Sequence, residues 1–172
     1  MTGAVAVNPE IKVYVSAGSN IDPVRHLRDG CHRLGQQVGP LEFSPVYRTA
    51  AVGFEGKDFL NLVFAYTTSD PVEAVVARLT AVESAAGRAR GAERFASRTL
   101  DLDLLIYGDL VVDQPGLTLP RNGILDYAFV LAPLAELAPD LVHPVARVTM
   151  RELWAAFEPA GQVIVRLDEP LV

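Results

Sequence analysis

A chain of 172 residues that is 50% hydrophobic and 21% charged has the length and composition of one globular domain spanning residues 1–172. Its net charge of −6 opposes general affinity for DNA or RNA, whose partners present basic surfaces. A single cysteine, Cys31, excludes an internal disulfide. The start lacks a basic leader and no apolar run reaches the ~18 residues of a membrane span, so a cytoplasmic protein with no membrane attachment is expected.

Residues 11–17, Ile-Lys-Val-Tyr-Val-Ser-Ala, are rich in β-branched and aromatic side chains and end at Gly18-Ser-Asn20, which predicts a strand and a turn. Asp22-Pro23 then opens a helix, with an N-cap acceptor and a first-turn proline, and Val24, Leu27, Cys31 and Leu34 mark its buried stripe until Gly35 and Gly39. His26 and His32 have no cysteine or acid set beside them and are read as surface residues. A second strand runs from Leu41 to Tyr47. The following stretch, Arg48 to Lys57, has two glycines and little periodicity, and a loop of that length is often functional.

From Phe59 to Thr67 the alternation puts Phe59, Asn61, Val63 and Ala65 on one face and Leu60, Leu62, Phe64 and Tyr66 on the other. Asn61 is out of place among apolar neighbours. Its amide offers a donor and an acceptor to the edge of a heterocycle, or else it is an exposed polar position. Asp70-Pro71-Val-Glu73 reads as a capping box, and Val72, Val75, Val76, Leu79 and Val82 as the buried side of a second helix that stops at Gly87.

Between residues 88 and 98 stand Arg88, Arg90, Arg94 and Arg98 with Glu93 as the one acid, a local charge of +3 in an acidic chain. Arginine outnumbers lysine thirteen to two overall, and its planar fork suits bidentate contact with phosphate. The loop runs into a strand in which Asp101 and Asp103 project from one face, with Leu100, Leu102, Leu104 and Ile106 on the other. Alternating acids and leucines also describe the solvent face of any half-buried strand. Beside four arginines, however, two carboxylates about 6.6 Å apart along a strand point to a metal-bound polyphosphate. No Gly-x4-Gly-Lys-Ser/Thr loop is present to cradle phosphate in their place.

Beyond these elements, Asp113-Gln-Pro-Gly is a turn, Leu117 to Pro120 a short extended piece, and Ile124 to Leu137 a helical segment bent near Pro133. Thr149 to Phe157 predicts a short helix and Gln162 to Leu167 an edge strand, while His143, before a proline, is read as structural. The order is β-α-β-β-α-β: an α+β, ferredoxin-like antiparallel sheet with helices on one face and two long catalytic loops over a common cleft.

The run Arg94-x3-Arg98-Thr-Leu-Asp101-Leu-Asp103-Leu-Leu resembles the signature of the 6-hydroxymethyl-7,8-dihydropterin pyrophosphokinase family. Further stretches match in order: Val15-Ser-Ala-Gly18-Ser-Asn20, Ser44-Pro-Val-Tyr47-Arg48-Thr49, Phe59-Leu-Asn61, Glu83-x3-Gly87-Arg88-x-Arg90, Leu117-Thr118-Leu-Pro120 and Phe129-Val-Leu-Ala-Pro133-Leu. The resemblance implies transfer of pyrophosphate from ATP to a pterin alcohol in folate biosynthesis, giving AMP. It implies two Mg²⁺ ions held by Asp101 and Asp103, with ATP as co-substrate, and the chain is expected to be a monomer. It also implies ATP contacts at Glu83, Arg88, Arg90, Arg98, Leu104, Thr118 and Arg121, and loop arginines Arg90 and Arg94 closing over the phosphates. Catalysis is expected from Arg88, Arg94, Arg98, Asp101 and Asp103. For the pterin it implies stacking between Phe59 and Phe129, edge recognition by Asn61 and the backbone of Thr49, Ala50 and Val52, and contact with Asp101.

Some positions depart from the family pattern. Arg121 stands where a histidine is usual, Tyr127 where an arginine is common, Gly91 for a frequent lysine, Phe95 for a tryptophan, and Ala50-Ala51 for Pro-Pro. They leave room for two other readings: a paralogue pyrophosphorylating a related pterin alcohol, and a non-catalytic ATP-binding regulator. An RNA-binding module of the same architecture is disfavoured because its aromatic Gly-Phe-rich run is absent.

Overall fold

Period-two alternation in the long strands gives a sheet with two faces, and both are buried. The computed structural model describes residues 8–51, 53–87 and 99–171. Strand β1 (Ile11–Ser19) leads to helix α1 (Pro23–Val38), short strands β2 (Glu42–Phe43) and β3 (Tyr47–Thr49), and the long strand β4 (Phe59–Thr68). Helix α2 (Val72–Ala85) and strand β5 (Asp101–Tyr107) complete the ferredoxin-like core. The strands lie in the order β5-β1-β4-β3, with β2 also on β4, and β1 is antiparallel to both its neighbours.

Helices α1 and α2 cover one face, where Val13, Val15, Leu62, Phe64 and Leu102 meet Leu27, Leu34, Val75 and Leu79. Each such side chain, fully buried, contributes about 1.5–3 kcal/mol of transfer free energy. The opposite face is also covered, which corrects the expectation of helices on one side. Beyond the hairpin β6 (Val112–Gln114) and β7 (Leu117–Leu119), the helices α3 (Gly123–Asp126), α4 (Ala128–Leu137) and α5 (Met150–Ala155) pack around Val63, Ala65, Leu105 and Ile106. An edge strand, β8 (Ile164–Arg166), pairs with β3. The carboxylate of Glu136 on α4 clamps it, accepting from the Tyr47 hydroxyl and from Arg166 Nε at 3.1 Å.

Local differences from the sequence reading have physical causes. Asp22 adopts a left-handed conformation and pairs with Arg25 at 2.6 Å instead of capping α1; Val24 is exposed, and Gly39, not Gly35, terminates the helix. Asp70 lies one residue before the Pro71 cap of α2 and pairs with Arg78 at 2.8 Å, so the capping box does not form. The strand expected from Leu41 to Tyr47 breaks at Ser44-Pro45, where Ser44 Oγ accepts from Val63 N at 2.9 Å. The helical segment from Ile124 is interrupted at Tyr127, which is extended, while Pro133 sits inside α4. Finally, Tyr14 and Val15 pair with Ile106 and Leu104, so Leu105 is an extra residue on β5. This bulge puts Ile106 on the same face as Leu105 instead of among the leucines of the other face.

Candidate active site

Register places the chemistry-bearing residues in one row. Gly18 on β1 pairs with Asn61 on β4 and with Asp101 on β5, so Asn61 and Asp101 flank a residue with no side chain. Neighbouring strands are about 4.8 Å apart, which opens a gap of roughly 10 Å between the two polar residues. Ser16 pairs with Asp103 one step along. All five residues line a cleft of about 580 Å³ on the face shared with α4, a size suited to a small heterocycle with part of a nucleotide.

The gap depends on glycine because of space. A Cβ at Gly18 would stand 2.8 Å from Asn61 Oδ1. That amide is oriented from the other end, where its Nδ2 donates to Thr49 Oγ1 at 3.0 Å; both residues are buried. The direction of the bond leaves Oδ1 turned over Gly18. Asn20 Nδ2 donates to Lys57 O at 3.2 Å and ties the end of the 50–58 connection to the turn after β1.

Aromatic rings surround this row. Phe54 meets Phe59 edge-on at 6.4 Å, and Tyr127 stacks on Phe129 at 5.1 Å with an interplanar angle of 23°. All four line the cleft. Tyr127 reaches it because the extended residue between α3 and α4 turns its ring alongside Phe129.

At the other side, Arg121 follows β7 and its backbone N–H donates to the bulged Leu105 carbonyl at 2.9 Å. Its Nη2 lies 2.9 Å from Asp103 Oδ1. Thr118 also lines the cleft, its hydroxyl donating to Asp113 Oδ1 at 3.0 Å across the hairpin.

Of the residues expected at the site, the fold therefore brings together Thr49, Ala50, Phe59, Asn61, Asp101, Asp103, Thr118, Arg121 and Phe129. Two stand elsewhere. The side chain of Leu104 is in the core on the α1–α2 face, and Glu83 is buried with its Oε1 accepting from Leu102 N at 2.6 Å. Leu104 packs in the core, and Glu83 braces β5 through the Leu102 backbone. Val52, Arg88, Arg90, Arg94 and Arg98, like Gly91 and Phe95, lie outside the described residues. Sequence reading did not single out Ser16, Phe54 or Asp126 as lining residues. The sequence marks Gly18 as the start of a turn and part of a family-matching stretch, while its match to Asn61 and Asp101 becomes visible once strand register is known.

Two carboxylates on one strand face fit Mg²⁺, which binds through one or two acids while keeping waters and substrate oxygens. Among the described residues no group of three or more His, Cys, Asp or Glu side chains forms a protein cage for another ion.

The model of the 7,8-dihydro-6-hydroxymethylpterin-pyrophosphokinase (HPPK) family matches residues 14–139. The chain is 37% identical over 142 residues to the 2-amino-4-hydroxy-6-hydroxymethyldihydropteridine pyrophosphokinase of Synechocystis sp., covering 81% of this chain and 72% of the relative. It is also 37% identical over 150 residues to the protein of that name from Pseudomonas aeruginosa, covering 84% and 91%. A crystal structure of a Plasmodium falciparum HPPK-DHPS triple mutant with pteroate superimposes with a TM-score of 0.70 at 12% identity, over 88% of this chain and 44% of that one. The chain thus spans less than half of that longer protein, and the likeness there is one of fold.

Proposed function

The chain belongs to the 7,8-dihydro-6-hydroxymethylpterin-pyrophosphokinase family, and from that premise we propose how its cleft divides the work between two substrates. The enzyme transfers pyrophosphate from ATP to the hydroxymethyl group of 6-hydroxymethyl-7,8-dihydropterin in folate biosynthesis, releasing AMP. The alcohol oxygen forms a bond to the β-phosphorus, the bond from that phosphorus to the α,β-bridging oxygen breaks with its electrons passing to AMP, and the alcohol proton is released. The principal tasks are alignment and neutralisation of charge on the phosphate oxygens.

The row Asn61–Gly18–Asp101 carries the assignment. The pterin lies over Gly18, with Asn61 and the backbone near Thr49 and Ala50 reading its edge and Phe59 and Phe129 contacting its faces. Its hydroxymethyl group then points toward Asp101. Asp101 and Asp103 would hold two Mg²⁺ ions, which supply charge neutralisation on the polyphosphate when bound. Thr118 and Arg121 stand on the nucleotide side. Arg88 and Arg98 are assigned to phosphate contacts and Arg90 and Arg94 to transition-state contacts on their residue types and family positions.

A cytoplasmic monomer acting on these two small molecules is part of the same proposal. No helix among the described residues is long and apolar enough to cross a membrane. The test is product analysis with ATP, Mg²⁺ and a panel of hydroxymethylpterins. One AMP should appear per diphosphorylated 6-hydroxymethyl-7,8-dihydropterin, and Asp101→Asn or Asp103→Asn should each cut turnover by about 10³-fold or more with folding intact. Near wild-type rates in both variants would overturn the site assignment, and ATP binding without AMP release would replace the enzyme by a regulator.

A further inference from the structure

Arg121 is fixed at two levels. Its backbone N–H is bonded to the extra residue of β5, Leu105, at 2.9 Å, and its guanidinium is 2.9 Å from Asp103 Oδ1, two residues earlier on that strand. The backbone bond sets the root of the side chain, so its tip is delivered to this carboxylate. Both side chains are partly exposed to the cleft, at 47% for Arg121 and 36% for Asp103. A long side chain in that setting has room to leave.

The guanidinium is held at Asp103 Oδ1, one of the two oxygens through which this carboxylate would take a divalent cation. The contest at that oxygen is between competing ligands. A bare divalent ion gains Oδ1 of Asp103 only by displacing a cation already there. A metal–nucleotide complex brings phosphate oxygens as well, and these offer the displaced fork a bidentate partner within the same cleft.

We propose that Arg121 is a displaceable counter-ion that holds Asp103 in the nucleotide-free enzyme and moves to phosphate when the metal–nucleotide complex enters. Metal binding is thereby coupled to nucleotide binding. This inference rests on the reading of Asp103 as a metal ligand. The coupling is reciprocal: whatever nucleotide does for metal affinity, metal does for nucleotide affinity.

The experiment titrates Mn²⁺ against the full chain and follows free Mn²⁺ by electron paramagnetic resonance, with and without α,β-methylene-ATP. Wild type, Arg121→Gln, Arg121→Lys and Asp103→Asn are compared, each first shown to be folded by its unfolding transition. Without nucleotide, Arg121→Gln should bind Mn²⁺ about fivefold more tightly than wild type, as removal of a partly exposed ion pair allows, with Arg121→Lys between them. With the nucleotide analogue the advantage should disappear or reverse. Unchanged or weaker Mn²⁺ binding in Arg121→Gln, while Asp103→Asn still weakens it, overturns the counter-ion role alone. Indifference of Mn²⁺ binding to Asp103→Asn overturns the metal reading and the inference together.

Discussion

The carboxylate of Glu83, at the end of α2, accepts the backbone N–H of Leu102 at 2.6 Å, and Leu102 is the residue between Asp101 and Asp103. One buried side chain thus braces the backbone from which both aspartates project. Glu83→Ala should destabilise the fold by about 1.5–3 kcal/mol, the range for a hydrogen bond to a charged group, and lower turnover as well. Glu83→Gln keeps an acceptor oxygen and should recover much of both losses. Denaturant unfolding together with steady-state kinetics checks this; a loss confined to ATP affinity, with stability unchanged, would mean that Glu83 acts on nucleotide directly.

Gly18→Ala should injure pterin binding through Asn61. The new Cβ would stand 2.8 Å from Asn61 Oδ1, so the amide has to move away from the orientation set by Thr49. A displacement of this sort costs on the order of 1–3 kcal/mol in a packed site, enough for roughly 5- to 150-fold weaker pterin affinity. Calorimetric titration with a hydroxymethylpterin should show that loss with ATP affinity within about twofold of wild type. Equal weakening of both ligands would refute the local explanation.

Phe129→Ala removes a ring face that lines the cleft, while Tyr127 remains beside it. Stacking of a flat heterocycle on an aromatic side chain contributes about 1–3 kcal/mol, so pterin should bind roughly 5- to 150-fold more weakly. Tyr127→Phe keeps the stacked pair and should change affinity little. Pterin fluorescence titration separates the two, and a Phe129→Ala variant with unaltered affinity would remove this residue from the substrate contacts.

His143 gives a pH signature outside the cleft. It is buried, its Nδ1 accepts from Val145 N at 3.2 Å and Ala146 N at 3.0 Å, and burial lowers its pKa below the ordinary 6.5. The folded protein therefore resists a proton that the unfolded chain accepts. The associated stability is complete above about pH 6.5 and is lost as the pH falls toward the depressed folded value. His143→Asn retains an acceptor without titrating, so the stability gap between the two proteins should shift against wild type between pH 7.5 and 5.5. Parallel unfolding curves across that range would show that the imidazole is not a source of acid sensitivity.

The strands and helices of the core were legible wherever one period dominated. In β4 the expected faces hold, with Leu62 and Phe64 on the α1–α2 side and Val63 and Ala65 on the other. Asn61 and Asp101 were readable as chemistry, but not as partners, since register between distant strands is not written in either segment. Side-chain capping was less legible: Asp22 and Asp70 have the residue types for it, yet nearby arginines offer stronger charged partners. Conversely, Thr149 and Glu152 do form a capping box, a Thr-x-x-Glu signal that could have been read from the chain. For Glu83 and Leu104 the burial of each side chain was not legible, because its direction is decided by packing between α2 and β5 and their neighbours.

The spare residue at Leu105 changes the phase of β5 partway along its length. Ahead of it, odd-numbered positions send carboxylates to the cleft side; past it, Tyr107 returns to the opposite side, where its hydroxyl donates to Asp70 O at 2.7 Å. Two adjacent apolar residues, Leu105 and Ile106, can consequently seal the helical layer directly beyond the acids. Excising a single residue there would force a choice between misaiming Asp101 and Asp103 and uncoupling Tyr107, so this strand tolerates side-chain exchange far better than a change of length.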